Sequence, residues 1–252
     1  YATLVDKLGV YISQVQQDAR LIAKLDCLCS FAHISNAYDY TKPEINDSQN
    51  LAIKDGRHPV IERQLAANET YIPNDIYLNK EEQQIIILTG PNMSGKSAIL
   101  RQTALTVLLA QVGCFVPARH AEIGLVDKIY TRVGASDNIS QGESTFMVEM
   151  VETASILNNL SDRSLVILDE IGRGTSTFDG LALAWSCAQS LATTVQPYTL
   201  FSTHYFEVTS LAEQYENIRN IHLDAVEHGN NIVFMYQVKD GPANKSYGIQ
   251  VA

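Results

Sequence analysis

The sequence predicts an α/β fold in which a mixed sheet is flanked by helices and preceded by a helical arm. From residue 83 onward, short continuous apolar runs alternate with longer segments of helical periodicity, a pattern typical of parallel strands covered on both faces. Toward the C-terminal end, two alternating runs flank the turn sequence HGNN, which adds an antiparallel hairpin to the sheet. The N-terminal segment instead repeats apolar side chains every three or four positions, as a helix does.

The N-terminal arm, residues 1–45, is predicted to form one long helix or two. Its apolar side chains recur at helical spacing from Leu4 to Leu28, and the first proline is Pro43. Because the arm carries one long apolar stripe and few other apolar positions, we expect it to pack against a surface outside the chain. The chain begins with Tyr1 rather than methionine, and we expect it to be part of a longer protein.

Residues 46–252 are predicted to form the main domain. Short extended runs separated by proline, glycine and asparagine predict a small antiparallel sheet within residues 41–80. Gly113 is predicted to end the first long helix after that sheet, and Asp179 to cap the next one. The predicted elements of the larger sheet are strand 84–89, helix 97–112, strand 165–169, helix 179–194, strand 198–203, and a hairpin of 217–226 with 231–238.

Composition limits the classes of function. The 18 Lys and Arg side chains are outnumbered by 28 Asp and Glu side chains, and the formal net charge of −10 argues against nucleic-acid binding by this chain alone. The four cysteines lack the spacing of a zinc site and are interpreted as reduced thiols of a cytosolic protein. No apolar run has the length of a membrane span, and the N-terminus lacks the pattern of a signal peptide.

The segment GPNMSGKS follows a predicted strand and precedes a predicted helix, which is the context of a phosphate-binding loop. Its glycines permit sharp backbone turns, and its N–H groups converge with the helix N-terminus on one anion site. Lys96 supplies a charge for the β- and γ-phosphates, and the Ser97 hydroxyl is a hard ligand for Mg²⁺. The predicted nucleotide-binding residues of this loop are Gly90, Pro91, Asn92, Met93, Ser94, Gly95, Lys96 and Ser97.

A second signal is SLVILDE, a buried strand that ends in Asp169 and Glu170. Asp169 is expected to hold Mg²⁺ through water, and Glu170 to orient and polarise the attacking water. His204 follows the next strand and is expected at the same sheet edge, where its imidazole could donate to the γ-phosphate. Glu170, His204 and Lys96 are therefore the candidate catalytic residues.

A third signal is SQGESTFMVEM, residues 140–150, in which Ser144 or Thr145 is a natural N-cap for another helix. A helix start with free N–H groups and a hydroxyl is a second anion site. We therefore expect a composite pocket, in which the phosphate loop of one protomer faces the Ser144 helix start of another. Plain helix capping is the alternative interpretation of this segment.

These motifs together resemble the ATPase domain of the MutS family of DNA mismatch repair proteins. The resemblance implies an ABC-type P-loop ATPase domain over residues 46–252, and the N-terminal arm resembles the family's lever helix in character only. The segments that carry the resemblance are GRHPV (56–60), TGPNMSGKS (89–97), RQTAL (101–105), FVPA (115–118), TRVGA (131–135), STFMVEM (144–150), LDEIGRGTST (168–177), DGLALAW (179–185), STHYFE (202–207) and KSYG (245–248).

The resemblance implies that the domain binds ATP or ADP with Mg²⁺ and works as a homodimer with two composite sites. By motif position, Asn92 would help to orient the γ-phosphate, Ser144 would contact ATP bound to the partner, and His204 would be the family's switch histidine. Tyr71 and Tyr236 fall where the family has aromatic or histidine side chains around adenine. Ordinary strand aromatics are the alternative for these two tyrosines.

The resemblance also implies that ATP binding and exchange drive the parent protein from mismatch search into a sliding clamp that recruits a downstream repair factor. Mismatched double-stranded DNA would be bound by parts outside this chain, and the location would be cytoplasmic, in association with the nucleoid. The family's C-terminal dimerisation segment would follow Ala252. We therefore expect the chain to be mostly monomeric at low concentration and to hydrolyse ATP slowly.

Two loop positions depart from the commoner family pattern, since Ser94 stands in place of glycine and Ala98 in place of a hydroxyl residue. The alternatives to this function are another ABC-type DNA-repair or chromosome ATPase, a P-loop small-molecule kinase, and a non-catalytic nucleotide sensor. The short spacing between Lys96 and Asp169, without heptads, disfavours the first, and scattered arginines disfavour the second. Glu170 argues against the third.

Overall fold

The computed structural model describes residues 1–66, 68–134, 145–228 and 231–243. A 3₁₀ helix, Phe206–Ser210, directly precedes the last short α-helix. In chain order the helices and strands are α1 (Ala2–Gly9), α2 (Ile12–Ala37), β1 (Glu44–Asn46), β2 (Asn50–Gly56), α3 (Ile61–Gln64), β3 (Asn74–Asn79), β4 (Ile85–Thr89), α4 (Lys96–Gln111), β5 (His120–Gly124), β6 (Lys128–Arg132), α5 (Thr145–Asn158), β7 (Ser164–Asp169), α6 (Thr177–Thr193), β8 (Tyr198–Ser202), α7 (Leu211–Gln214), β9 (Ile218–His228) and β10 (Asn231–Asp240).

The larger sheet has six strands in the order β10-β9-β4-β8-β7-β6. The neighbours from β9 to β6 are parallel, and β10 pairs antiparallel with β9. The sheet is therefore mixed and flanked by helices, as the sequence predicts. It contains the three predicted strands as β4, β7 and β8, and the predicted hairpin forms one edge.

Both faces of the central strands of the larger sheet are buried. Ile86 and Leu88 of β4 belong to one apolar cluster, whereas Ile85 and Ile87 of the same strand belong to a second cluster on the other face. Successive side chains of a strand point to opposite faces, so a strand covered on both sides is apolar at every position. This is why the run IIILT is buried throughout.

The smaller sheet has four strands in the order β1-β5-β2-β3, which corrects the prediction of an antiparallel sheet within residues 41–80. β2 pairs antiparallel with β3, as predicted. However, β5 inserts between β1 and β2, and it runs parallel to β1. The prediction missed β5 because its pairing is long-range. The chain returns to this sheet only after α4, and the sequence of residues 41–80 alone does not indicate that return.

Local sequence signals mark the start and end of α4 and the start of α6. α4 begins directly after Gly95, and Gly113 beyond its end has a φ of +87°, which confirms the predicted left-handed stop. α6 corrects the predicted cap, since Ser176 rather than Asp179 is its N-cap. Ser176 Oγ accepts from the N–H of Asp179 and donates to its carboxylate at 2.7 Å, because Asp179 already lies within the first turn.

The N-terminal arm forms two helices, α1 and α2, which is one of the two predicted alternatives. The C-terminal end of α2 meets the core, where Ser35 is buried and Arg57 Nη2 donates to Tyr38 O at 2.9 Å. None of the described helices is both long and apolar enough to cross a membrane. The exposed large apolar side chains of the arm are Val5, Leu8, Val10, Tyr11, Ile12, Val15, Leu21, Ile22, Leu25 and Leu28.

Candidate functional site

The loop between β4 and α4 has a backbone that few residue types can adopt. Gly90 has a φ of +141°, Met93 of +65° and Gly95 of +101°. A Cβ on Gly90 would lie 3.0 Å from Leu223 O and 3.1 Å from Ser94 Oγ, so a side chain there would force its neighbours apart. The loop therefore depends on glycine both for its turns and for close packing against β9.

Lys96 is the first residue of α4 and is only 5% exposed. Its Nζ donates to Gly90 O at 2.9 Å and to Pro91 O at 3.1 Å, and it lies 3.8 Å from Glu170 Oε1. Burial lowers the pKa of Lys96, and the nearby carboxylates of Glu170 and Asp169 partly oppose that shift. The ammonium group is thus held across the mouth of the loop by the loop's own carbonyl oxygens.

Ser97 and Asp169 meet at the carboxyl edge of the larger sheet. Ser97 Oγ donates to Asp169 Oδ2 at 2.6 Å, and the hydroxyl of Ser202, at the end of β8, donates to Asp169 Oδ1. A hydroxyl and a carboxylate are hard oxygen donors, which fit Mg²⁺ held by few protein ligands. Among the described residues there is no group of three or more His, Cys, Asp or Glu that could hold a metal, so this pair would need water and phosphate as further ligands.

Glu170 adopts a left-handed backbone, with a φ of +58°, and its N–H donates to Ser202 O at 3.0 Å. One carboxylate oxygen, Oε1, lies 2.6 Å from His204 Nε2, and the other accepts from Arg173 Nη1 at 2.6 Å. Burial alone would raise the pKa of Glu170, but His204, Lys96 and Arg173 outweigh burial and lower it. The side chain is therefore an oriented carboxylate that faces Lys96.

These groups surround one cavity of about 440 Å³, here called the loop cavity. Glu149 of α5 also lines it, although it is only 7% exposed, and its Oε1 accepts from the N–H of Gly172 at 2.5 Å. The loop cavity is lined by Pro91, Asn92, Met93, Gly95, Lys96, Ser97, Ala98, Arg101, Arg132, Gly134, Glu149, Asp169, Glu170 and Arg173.

A second cavity of about 710 Å³, here called the apolar cavity, shares Gly95 and Ala98 with the loop cavity. Both predicted tyrosines line it. Tyr71 OH donates to Gln102 Oε1 at 2.8 Å, and burial raises the pKa of Tyr71 to about 12. The Tyr236 ring lies over Gly95, because its Cδ1 is 3.4 Å from the position of a Cβ there. The loop cavity, lined by charged and polar residues, thus adjoins a cavity lined mainly by apolar and aromatic residues.

The structure brings most of the predicted residues together. Gly90 to Ser97, Asp169, Glu170 and His204 lie at one sheet edge, and Tyr71 and Tyr236 line the adjoining cavity. Ser144 lies outside the described residues, and the described part of α5 begins at Thr145. The predicted contact between Ser144 and a partner's nucleotide therefore stays a prediction.

Sequence reasoning did not assign several of the polar residues that line these cavities, among them Glu149, Arg173 and Asn74. One sequence feature could have identified Glu149, because it is an acidic residue inside the otherwise apolar run FMVEM. Arg173 lies three positions after Glu170, but its contact depends on the turn after β7. Asn74 is a buried amide at the start of β3 and lines the apolar cavity, and the local sequence gives no indication of that position.

Comparison with known proteins agrees with the motifs. The family model described as MutS domain V matches residues 86–252. A protein of Christiangramia forsetii named DNA mismatch repair protein MutS is 60% identical over 253 residues, covering 100% of this chain and 29% of that protein. Proteins of the same name from Cytophaga hutchinsonii and Flavobacterium psychrophilum are 59% identical (94% of this chain, 28% of that protein) and 57% identical (100% and 29%). The chain thus spans less than a third of the length of these relatives.

Proposed function

Because the chain belongs to the MutS domain V family, we propose that it is the ATP-binding and ATP-hydrolysing region of a DNA mismatch repair protein. The observation that carries the proposal is the meeting of Lys96, Ser97, Asp169 and Glu170 around one cavity. Phosphoryl transfer from a nucleoside triphosphate needs such a lysine, a hydroxyl and two carboxylates beside a loop of free N–H groups. The fold is then an ABC-type P-loop ATPase over residues 46–252, with residues 1–45 as its helical arm.

In this proposal the triphosphate lies along Gly90–Ser97, where backbone N–H groups and the N-terminus of α4 attract negative charge. Lys96 exchanges its present carbonyl partners for the β- and γ-phosphate oxygens. Asn92 lines the loop cavity and contacts the γ-phosphate. The adenine base enters the apolar cavity beside Tyr71 and Tyr236, whose rings offer stacking surfaces.

Ser97 and Asp169 are the residues that would hold Mg²⁺. When bound there, Mg²⁺ supplies charge neutralisation for the β- and γ-phosphates. The Ser202 hydroxyl fixes the Asp169 carboxylate through its second oxygen, so the orientation of that ligand is set before a metal arrives.

Glu170 orients and polarises the attacking water in this proposal. Its lowered pKa keeps it ionised at neutral pH, as a group that accepts a proton from water must be. Arg173 and His204 each lie 2.6 Å from one of its oxygens and fix the direction in which the carboxylate points. His204, whose Nε2 lies 2.6 Å from Glu170 Oε1, is the proposed donor to the γ-phosphate.

We further propose that two copies of the chain form composite sites, in which the Ser144 helix start of one copy faces the loop cavity of the other. The support is the motif at residues 140–150 and the name of the relatives, DNA mismatch repair protein MutS. In the full-length protein, ATP binding would convert mismatch search into a sliding clamp that recruits a downstream repair factor in the cytoplasm, at the nucleoid. Mismatched DNA would be bound by other parts of that protein. The family assignment favours this function over a small-molecule kinase or another ABC-type ATPase.

The experiment that tests the enzymatic proposal is a Glu170→Gln substitution, assayed for ATP binding and for phosphate release. The amide keeps the size of the side chain but cannot accept a proton, so we expect ATP binding to persist while turnover falls by about 10²–10⁴-fold. Glu216→Gln makes the same chemical change at an exposed position and serves as the control. Unchanged turnover in Glu170→Gln would remove Glu170 from this role.

The composite site is tested separately by the dependence of turnover on protein concentration. If the partner completes each site, turnover per chain rises as the chain is concentrated and dimers form. A high turnover that does not depend on concentration would contradict the composite site and leave ATP binding by one chain intact.

A further inference from the structure

Asn74, the first residue of β3, connects the two sheets of the molecule beside the apolar cavity. It is 4% exposed, and its side-chain amide makes bonds in three directions. Nδ2 donates to Tyr236 O at 2.9 Å and to Ile72 O at 3.1 Å, and Oδ1 accepts from the N–H of Val238 at 2.7 Å. One amide thus joins the start of β3, in the smaller sheet, to β10, at the edge of the larger sheet.

The segment of β10 that Asn74 contacts is irregular. The register between β10 and β9 shifts between Phe234 and Val238, and Tyr236, inside that irregularity, has a φ of +52°. A residue other than glycine holds a left-handed conformation only when its surroundings fix it. Asn74 donates to the carbonyl of Tyr236, the strained residue itself, and accepts from the N–H of Val238, two positions after it.

The consequence for the apolar cavity is that one side chain fixes two of its walls. The first wall is the segment of Tyr71 and Ile72, which Asn74 holds through Ile72 O. The second wall is the ring of Tyr236, which Asn74 holds through the backbone and which packs over Gly95 of the phosphate loop. The distance between these walls decides whether a flat ring fits between them.

We propose that Asn74 is a positioning residue for base recognition: it sets the spacing of the Tyr71 and Tyr236 walls and thereby gives the site its affinity for the purine base of a nucleotide. This inference rests on the proposed function, since it concerns the same nucleotide. Asn74 contributes nothing to the binding of the phosphates, which contact the loop on the other side of Gly95. Loss of the Asn74 amide therefore weakens the binding of a nucleotide but not the binding of a bare phosphate chain.

The experiment compares the binding of ATP and of inorganic tripolyphosphate, both with Mg²⁺, to the wild-type chain and to variants. Asn74→Ala removes all three hydrogen bonds. Asn74→Asp keeps the acceptor for Val238 N–H but brings a carboxylate against the Tyr236 carbonyl. The control is Asn217→Ala, which removes a comparable bridging amide at the opposite end of the sheet, where Asn217 Nδ2 donates to Gln84 Oε1 at 2.8 Å and to Ala192 O at 3.1 Å.

We expect Asn74→Ala and Asn74→Asp to weaken ATP binding by about tenfold, the value of one lost base-stacking contact, with tripolyphosphate binding unchanged. Asn217→Ala lowers the unfolding temperature without changing the ratio of the two affinities. Three results would overturn the inference. The Asn74 variants could lose the same factor of affinity for ATP and for tripolyphosphate, they could keep the wild-type affinity for ATP, or both could lose cooperative unfolding. Failure of the wild-type chain to bind either ligand would instead contradict the proposed function, and the inference with it.

Discussion

Ser97 and Asp169 lie 72 positions apart in the chain, yet Ser97 Oγ donates a 2.6 Å hydrogen bond to Asp169 Oδ2. Ser97 belongs to the first turn of α4, and Asp169 is the last residue of β7. Their meeting depends on β8, which lies between β4 and β7 and pairs parallel with both. Parallel pairing aligns the carboxyl ends of the strands, so a hydroxyl and a carboxylate meet at the sheet edge where the proposed ion would bind.

The first prediction concerns this pair. Ser97→Ala and Asp169→Asn each remove or weaken one oxygen ligand, so we expect the Mg²⁺ concentration required for half-maximal ATP binding to rise by about 10–100-fold. Titration of Mg²⁺ at fixed ATP measures this. Ser161→Ala is the matched control, since it also removes a serine hydroxyl that donates to an aspartate at 2.6 Å, but at an exposed distant place. An unchanged Mg²⁺ requirement in both site variants would contradict the assignment of these ligands.

The second prediction concerns Glu149. Its carboxylate accepts from Gly172 N–H in a buried setting and so holds the turn that follows Glu170. Glu149→Ala leaves that N–H without its partner, which costs about 1–3 kcal/mol of unfolding free energy. We also expect turnover to fall more than ATP affinity, because the turn orients Glu170. Chemical denaturation and a turnover assay measure the two effects.

Glu213→Ala is the control for Glu149. Glu213 is an exposed glutamate of α7, away from the loop cavity, and such a surface substitution changes the free energy of unfolding by no more than about 0.5 kcal/mol. Equal effects of the two substitutions on stability and turnover would show that Glu149 has no special link to the turn after β7.

The third prediction concerns pH and His58. Its Nδ1 accepts from the N–H groups of Val60 and Ile61 at 3.2 Å, and burial, reinforced by the charge of Arg101, lowers the pKa of His58 below its ordinary value of 6.5. As the pH falls below 6.5, His58 becomes protonated in the unfolded chain while it stays neutral in the folded chain. Stability is therefore lost as the pH falls toward the folded pKa, by up to about 1.4 kcal/mol per pH unit.

Replacing the imidazole tests this origin of the pH dependence. His58→Asn retains a hydrogen-bond acceptor near the turn but does not titrate, so the loss of stability between pH 6.5 and 5 should become shallower. Urea denaturation at a series of pH values gives the two slopes. Identical slopes for the wild-type chain and His58→Asn would contradict the account.

The fourth prediction concerns the arm. Much of α2 is exposed on all sides, so its helix gains little stability from packing and should open more readily than the core. We expect trypsin to cleave first after Arg20 and Lys24, leaving a resistant fragment that contains β2 to β10. Mass spectrometry of a short digestion series identifies the cuts. Early cleavage within the larger sheet, with the arm intact, would contradict the expectation that the arm is less stable than the core.

The sequence predicted the parts of the fold that local pattern determines. β4, β7 and β8 each contain an apolar run because both faces of these central strands are covered, and that run is visible without a structure. β5 and β6 were not predicted because their sequences, HAEIG and KIYTR, contain no continuous apolar run, and their pairing is decided by distant strands. The antiparallel pairing predicted within residues 41–80 is confirmed for β2 and β3, whereas the insertion of β5, parallel to β1, was missed for the same reason.

Some residues of the candidate site could likewise be predicted from local sequence, and others could not. Lys96, Ser97 and Glu170 could be predicted because their motifs combine residue type with a strand or helix end. Asn74 and Glu149 could not, since their contacts depend on how β10 and the turn after β7 pack. Residues proposed to bind through a local motif can be identified from one sequence, whereas residues that support them through tertiary contacts need the structure.

The central claim is tested most directly by a crystal structure of the chain with Mg²⁺ and a non-hydrolysable ATP analogue. The account predicts the triphosphate along Gly90–Ser97, the ion beside Ser97 and Asp169, and the base between Tyr71 and Tyr236. A nucleotide bound elsewhere, with the loop empty and Asp169 far from the ion, would contradict it.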